Sequence, residues 1–150
     1  MKNSLRKKFM HTILVKGDCH AVFNAFCPEA EKKWVPGWES TMIYSQSGIA
    51  EKNAVFTTMQ LNKPDTVWVC SIYDTDREVE YVRITPGQLV TVINIRTRQL
   101  SMDTECMVEY IHTALTEAGS RYIIEELSEE QFIAQIAPWE ATIADYVLHI

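Results

Sequence analysis

Residues 128–150 read SEEQFIAQIAPWEATIADYVLHI. Phe132, Ile136, Trp139, Ile143, Val147 and Ile150 recur there every three or four residues, the spacing that gathers side chains on one face of an α-helix. Ser128 and Gln131 stand at capping-box spacing, where each side chain satisfies the other's orphan backbone N–H. The stripe predicts one long C-terminal helix, about 33 Å at 1.5 Å per residue. Pro138 lies inside it, removes one backbone donor and bends the helix near residues 134–138.

Upstream of this helix the pattern changes. Residues 117–127 predict a short helix or irregular arm, and before them apolar residues alternate with polar ones. Strands are expected at residues 41–45, 54–61, 66–73, 79–85, 89–98 and 104–115, separated by turn chemistry such as Asn62-Lys63-Pro64-Asp65 and Pro86-Gly87. At the other end, residues 9–15 form a first strand that stops at Gly17-Asp18. Asp18 caps a short helix carrying Val22, Phe23 and Phe26, which Pro28 ends. Residues 29–34 form a second short helix, and Val35-Pro36-Gly37-Trp38 is a turn. The order is strand, two short helices, about six strands, long helix. Short connections favour antiparallel pairing. The fold class is α+β: a curved antiparallel sheet of about seven strands wrapped around the long C-terminal helix. One helix laid across a bent sheet leaves space between them.

The chain has 150 residues, expected to form one domain over residues 1–150. Its 47% hydrophobic and 23% charged residues are ordinary for a globular protein and exclude a disordered chain. A net charge of −6 argues against a nucleic-acid partner, and the basic group Lys2, Arg6, Lys7 and Lys8 is too short to reverse that. The four cysteines, Cys19, Cys27, Cys70 and Cys106, form no C-x-x-C pair. They read as small buried hydrophobes in a reducing compartment, with no metal site and no cofactor. The basic start followed by a short apolar run lacks a cleavage site, and no apolar run is long enough to span a membrane. A cytoplasmic location is expected.

Three stretches carry a family resemblance: Phe26-Cys27-Pro28 leading to Lys33-Trp34-Val35-Pro36-Gly37-Trp38-Glu39; Gly48-Ile49-Ala50-Glu51 with Val55-Phe56-Thr57-Thr58; and Thr113-Ala114-Leu115-Thr116-Glu117-Ala118-Gly119. Over almost its whole length the chain resembles the SRPBCC superfamily, the START-like or helix-grip fold of polyketide cyclases and the birch pollen allergen. It is similar to a mostly bacterial branch near the polyketide cyclase/dehydrase-like proteins. The resemblance implies a ligand cavity under the C-terminal helix. It implies no single chemistry, because this fold hosts carriers, cyclases and binding modules alike.

Strand parity names candidate cavity residues. Trp68, Cys70 and Ile72 share a face taken as inward. Cys106, Val108, Tyr110 and His112 share a face, with Glu105 and Glu109 on the other. Tyr81 and Arg83 oppose Val82 and Ile84, and parity alone leaves open which pair faces inward. An inward Arg83 requires a partner, because an unpaired buried charge is costly, and it suits the anionic head of a ligand. His112 is the candidate acid–base group, or else a satisfied histidine near a strand end. Tyr44, Tyr81 and Tyr110 are candidate hydrogen-bond donors. Trp34 and Trp38 form either a lid or a hydrophobic plug, while Phe56, Trp139 and Ile143 are candidate cavity walls. The acidic pairs at residues 125–126 and 129–130 belong to a helix start, where negative charge is favoured. The expected ligand-binding set is therefore Trp34, Trp38, Phe56, Trp68, Tyr81, Arg83, Tyr110, His112, Trp139 and Ile143. Three functions fit it: a binder of a small hydrophobic molecule (a lipid, polyketide or isoprenoid); a cyclase or dehydratase-type enzyme using the same cavity; or a protein-interaction module. The expected partner is a small hydrophobic ligand, with no nucleic acid, no membrane span and a homodimer left open.

Overall fold

The computed structural model describes residues 4–150, so Lys2 lies outside the described residues. Strand β1 (Arg6–Lys16) is followed by α1 (Cys19–Asn24) and α2 (Pro28–Glu31). Six strands come next: β2 (Thr41–Tyr44), β3 (Val55–Gln60), β4 (Lys63–Asp74), β5 (Glu78–Thr85), β6 (Leu89–Leu100) and β7 (Asp103–Ala114). Helices α3 (Glu117–Glu126), α4 (Glu129–Ile136) and α5 (Trp139–Leu148) close the chain. The strands form one antiparallel curved sheet of seven in the order β1-β7-β6-β5-β4-β3-β2. Five of its pairings are between sequential strands; the sixth brings β1 back against β7.

The predicted caps explain where the helices begin. The Asp18 side chain accepts from the Ala21 N–H at 3.2 Å, and the Ser128 hydroxyl accepts from the Gln131 N–H at 3.2 Å. Gly17 ends β1 with φ +144°, a region that side chains disfavour. The C-terminal helix is interrupted where Pro138 predicts a bend, and runs as α4 and α5. Pro138 has no N–H to give, and the ladder breaks at Ala137–Pro138, although both residues keep right-handed helical angles. The turn placed at residues 62–65 is also tighter than expected. It turns at Asn62 (φ 57°), so Lys63 and Pro64 already belong to β4.

The core lies between the sheet and the helices. α5 and α4 lie on β1, while α1 packs against α5, β6 and β7. The carboxylate of Glu140, in the first turn of α5, accepts from the Leu14 N–H of edge strand β1 at 2.8 Å. That bond occupies a donor an edge strand would otherwise offer to another chain. The basic group near the N-terminus is absorbed locally: Lys7 Nζ donates to the carbonyls of Ile123 and Leu127 at 3.3 and 3.0 Å, and Lys8 pairs with Glu109 at 3.4 Å. No helix among the described residues is long and apolar enough to cross a membrane.

Candidate functional site

Alternation along β7 turns Thr104, Cys106, Val108, Tyr110, His112 and Ala114 inward, and all are buried. On β6 it does the same for Leu89, Thr91, Ile93 and Ile95. Strand β5 settles the open choice. Val79, Tyr81 and Thr85 are buried, so Arg83 shares their inward face, while Val82 and Ile84 stand on the other. Two bulges move side chains that simple parity misplaces. The register shift between Cys70 and Ile72 puts Ile72 opposite Glu80 and brings Tyr73 against the core instead. The shift between Met42 and Tyr44 leaves Tyr44 66% exposed, away from any cavity.

Three cavities lie along this inward face. The largest, about 520 Å³, opens between α3, the Gly37–Glu39 turn and the β3–β5 face, with Trp38, Trp68, Arg83 and His112 in its wall. A second of about 350 Å³ lies under α3 and α4, against Tyr110, His112 and Phe132. A third of about 130 Å³ is walled by Trp34, Trp38, Trp68, Tyr81, Tyr110 and Trp139. Arg83 is the one residue common to all three. The walls are not uniformly apolar. Thr58, Gln60, Lys63, Thr66 and Gln88 make the mouth of the largest polar.

Aromatic rings organise the walls. Phe56 stacks on Trp68 at 5.3 Å, and Trp38 meets Trp68 edge-on at 5.5 Å. Trp34 meets Trp139 edge-on at 5.6 Å, and Tyr110 meets Phe132 at 5.1 Å. The Trp34 indole donates to the Ala25 carbonyl at 2.7 Å and the Trp38 indole to the Pro28 carbonyl at 2.9 Å. These bonds tie both tryptophans to the segment of the two short helices. The Tyr81 hydroxyl donates to the Phe26 carbonyl at 2.6 Å, which makes it a structural bond. Two expected residues line none of these cavities. Ile143 is fully buried in the packed core, and Phe56 sits behind Trp68 at 1% exposure.

The polar groups are few and close together. The Arg83 guanidinium lies 5.3 Å from the centre of the Trp68 ring, and its Nη2 reaches Thr91 Oγ1 at 3.4 Å. Thr91 Oγ1 is also 2.8 Å from His112 Nδ1. Burial, helped by the Arg83 charge, pushes His112 down to about 4, so its imidazole is neutral near pH 7. Burial pushes the Tyr110 hydroxyl up to about 12 against the opposing pull of Arg83. Sequence reasoning missed Glu31. Its carboxyl lines the third cavity and burial raises it to about 8, so it is protonated at neutral pH. The signal was its helical spacing: Glu31 precedes inward Trp34 by three residues. Among the described residues no group of three or more His, Cys, Asp or Glu side chains is placed to hold a metal ion.

With this geometry in view, the fold finds many counterparts. Norcoclaurine synthase from Thalictrum flavum superposes with a TM-score of 0.69 at 10% identity, covering 99% of this chain and 90% of that one. Ara h 8.0201 gives 0.69 at 15% identity over 97% and 99% of the two chains. DynU16, a protein of the dynemicin biosynthetic locus, gives 0.62 at 11% identity, and the match covers 94% of this chain but 47% of that one. The chain thus has the helix-grip fold, shared with these solved structures. No family model matches the sequence, and no curated protein does.

Proposed function

We propose that this protein binds a small hydrophobic molecule, of lipid, polyketide or isoprenoid type, in the space between sheet and C-terminal helices. The observation that carries the reading is the set of aromatic-walled cavities around Arg83, about 520, 350 and 130 Å³. The two larger fall within the usual size range of ligand sites, which combine apolar walls with a few placed polar groups. Unpaired cysteines agree with a reducing compartment such as the cytoplasm. Titration with the uncharged fluorophore N-phenylnaphthylamine tests the reading. Saturable binding with quenching of tryptophan emission is the expected result, and a flat titration across the soluble range rejects it.

A second reading has one specific observation in its favour. Glu31, protonated at neutral pH, and Tyr110 line the same third cavity, together with Arg83. Two titratable groups on one cavity suit a cyclase or dehydratase in which a proton is given to or taken from a bound ligand. Norcoclaurine synthase shows that the fold hosts synthases. Turnover that survives in Glu31→Gln would reject a role for this carboxyl.

A further inference from the structure

We propose that the ligand is an organic acid: Arg83 receives its carboxylate, and its apolar body lies among the surrounding rings. This rests on the ligand-binding reading above and goes further by assigning the chemistry of the head group.

Arg83 differs from the two arginines of β6, and from Arg6 of β1, which also lacks a carboxylate partner among the described residues but is exposed. Arg96 and Arg98 have carboxylates at 3.6 and 3.1 Å, on Glu78 and Glu105. Arg83 has none within ion-pair distance among the described residues, in a chain with 20 acidic side chains. Three glutamates border the cavities that Arg83 joins: Glu39 at the mouth, Glu126 at the second and Glu31 in the third. None pairs with it, Glu39 and Glu126 are exposed, and Glu31 is uncharged at neutral pH. Its contacts are one long hydrogen bond, to Thr91, and the Trp68 ring.

A guanidinium carries five N–H donors in a planar fork. That of Arg83 is only part-buried and holds its unpaired donors open where the three cavities meet. Neutral His112, next to Thr91, adds no competing charge and no counter-charge. A carboxylate matches both the single positive charge and the fork, in a two-point contact that an alcohol cannot make. The second and third cavities contain no other lysine or arginine; Lys63 stands at the mouth. One cation suits one carboxylate better than a doubly charged phosphate.

Calorimetric titration with naphthaleneacetate and with naphthaleneethanol, which share a ring system and differ in the head, tests the assignment. The acid is expected to bind the native protein about tenfold more tightly than the alcohol. Arg83→Met should abolish that preference, while Arg83→Lys keeps part of it. Equal affinities in the native protein, or a preference that survives in Arg83→Met, would overturn the proposal while leaving ligand binding intact. The native comparison decides the matter even if a variant folds poorly. If neither compound binds and N-phenylnaphthylamine also fails, the ligand-binding reading falls and takes this assignment with it.

Discussion

Where α1 and α5 meet β1, β6 and β7, Ile13, Val15, Val22, Cys106, Val108 and Ile143 are at most 1% exposed. Further along the same inward face, around Trp68, Arg83, Tyr110 and His112, the layers stay apart and cavities of about 520 and 350 Å³ remain. Both regions lie on the inward face of one sheet, the first under α1 and α5, the second under α3 and α4. The difference lies in the shape and charge of their side chains. Branched aliphatic groups interdigitate to crystal-like density. Rings held edge-on at about 5.5 Å and anchored by their own N–H or O–H bonds cannot slide inward to fill a remaining gap. A guanidinium resists collapse for a second reason, since closing apolar groups over it would strip its hydration.

Four measurements break or sharpen this contrast. The largest effect belongs to the packed end: Ile143→Ala should cost about 2–5 kcal/mol in urea denaturation, with little change in probe affinity. A cost under about 1 kcal/mol would mean that this end also has slack. Gly119→Ala comes next. A methyl at Gly119 would lie 1.8 Å from the Gln88 carbonyl oxygen, so α3 must move off the β5–β6 turn, at about 1–3 kcal/mol. Because Tyr122 and Leu127 of this arm wall the open cavities, the variant should also weaken probe binding, as Ile143→Ala should not.

The third measurement is the pH dependence of stability. Glu31 keeps its proton up to about pH 8 when folded and loses it near 4.5 when unfolded. Its contribution is therefore fully present below 4.5 and declines as pH rises to about 8. Glu31→Gln should remove that decline, and identical profiles for the two proteins would contradict a buried carboxyl. His112 acts in the opposite direction: the unfolded chain takes up a proton near 6.5 that the folded one refuses until about 4, so stability falls as pH drops through that window. The smallest effect is spectroscopic. Arg83→Met should shift the His112 imidazole titration upward, seen by NMR, yet not to its ordinary value, because burial is the larger cause. No shift would mean that the two groups do not sense each other.

Most of the fold was legible in the sequence because alternation and helical spacing are direct consequences of having one face to bury. Parity groups Tyr110 and His112 on one face of β7, opposite Glu105 and Glu109, and the structure buries them at 7% and 4% exposure. Parity failed where a strand gains a residue. Nothing in Cys70-Ser71-Ile72 announces a bulge, and every side chain beyond it changes face. Arg83 stayed undecided because both faces of β5 carry apolar residues, so alternation had no contrast to read. Glu31 was hidden by its neighbours, since Glu29, Lys32 and Lys33 make the segment look solvated throughout. Ile143 and Phe56 stand in the packed core and not at a cavity, because the pattern marks burial and not whether a neighbouring space is filled.

The break at Pro138 separates two mechanical duties. α5 is bound into the packed end through Ile143 and through the Glu140 bond to β1, whereas α4 roofs the second cavity with Gln131, Phe132 and Gln135. With no hydrogen bond from residue 138 to the preceding turn, the joint is compliant where an unbroken rod would be stiff. A displacement of that roof would bend at a single joint and leave the frame beneath it seated.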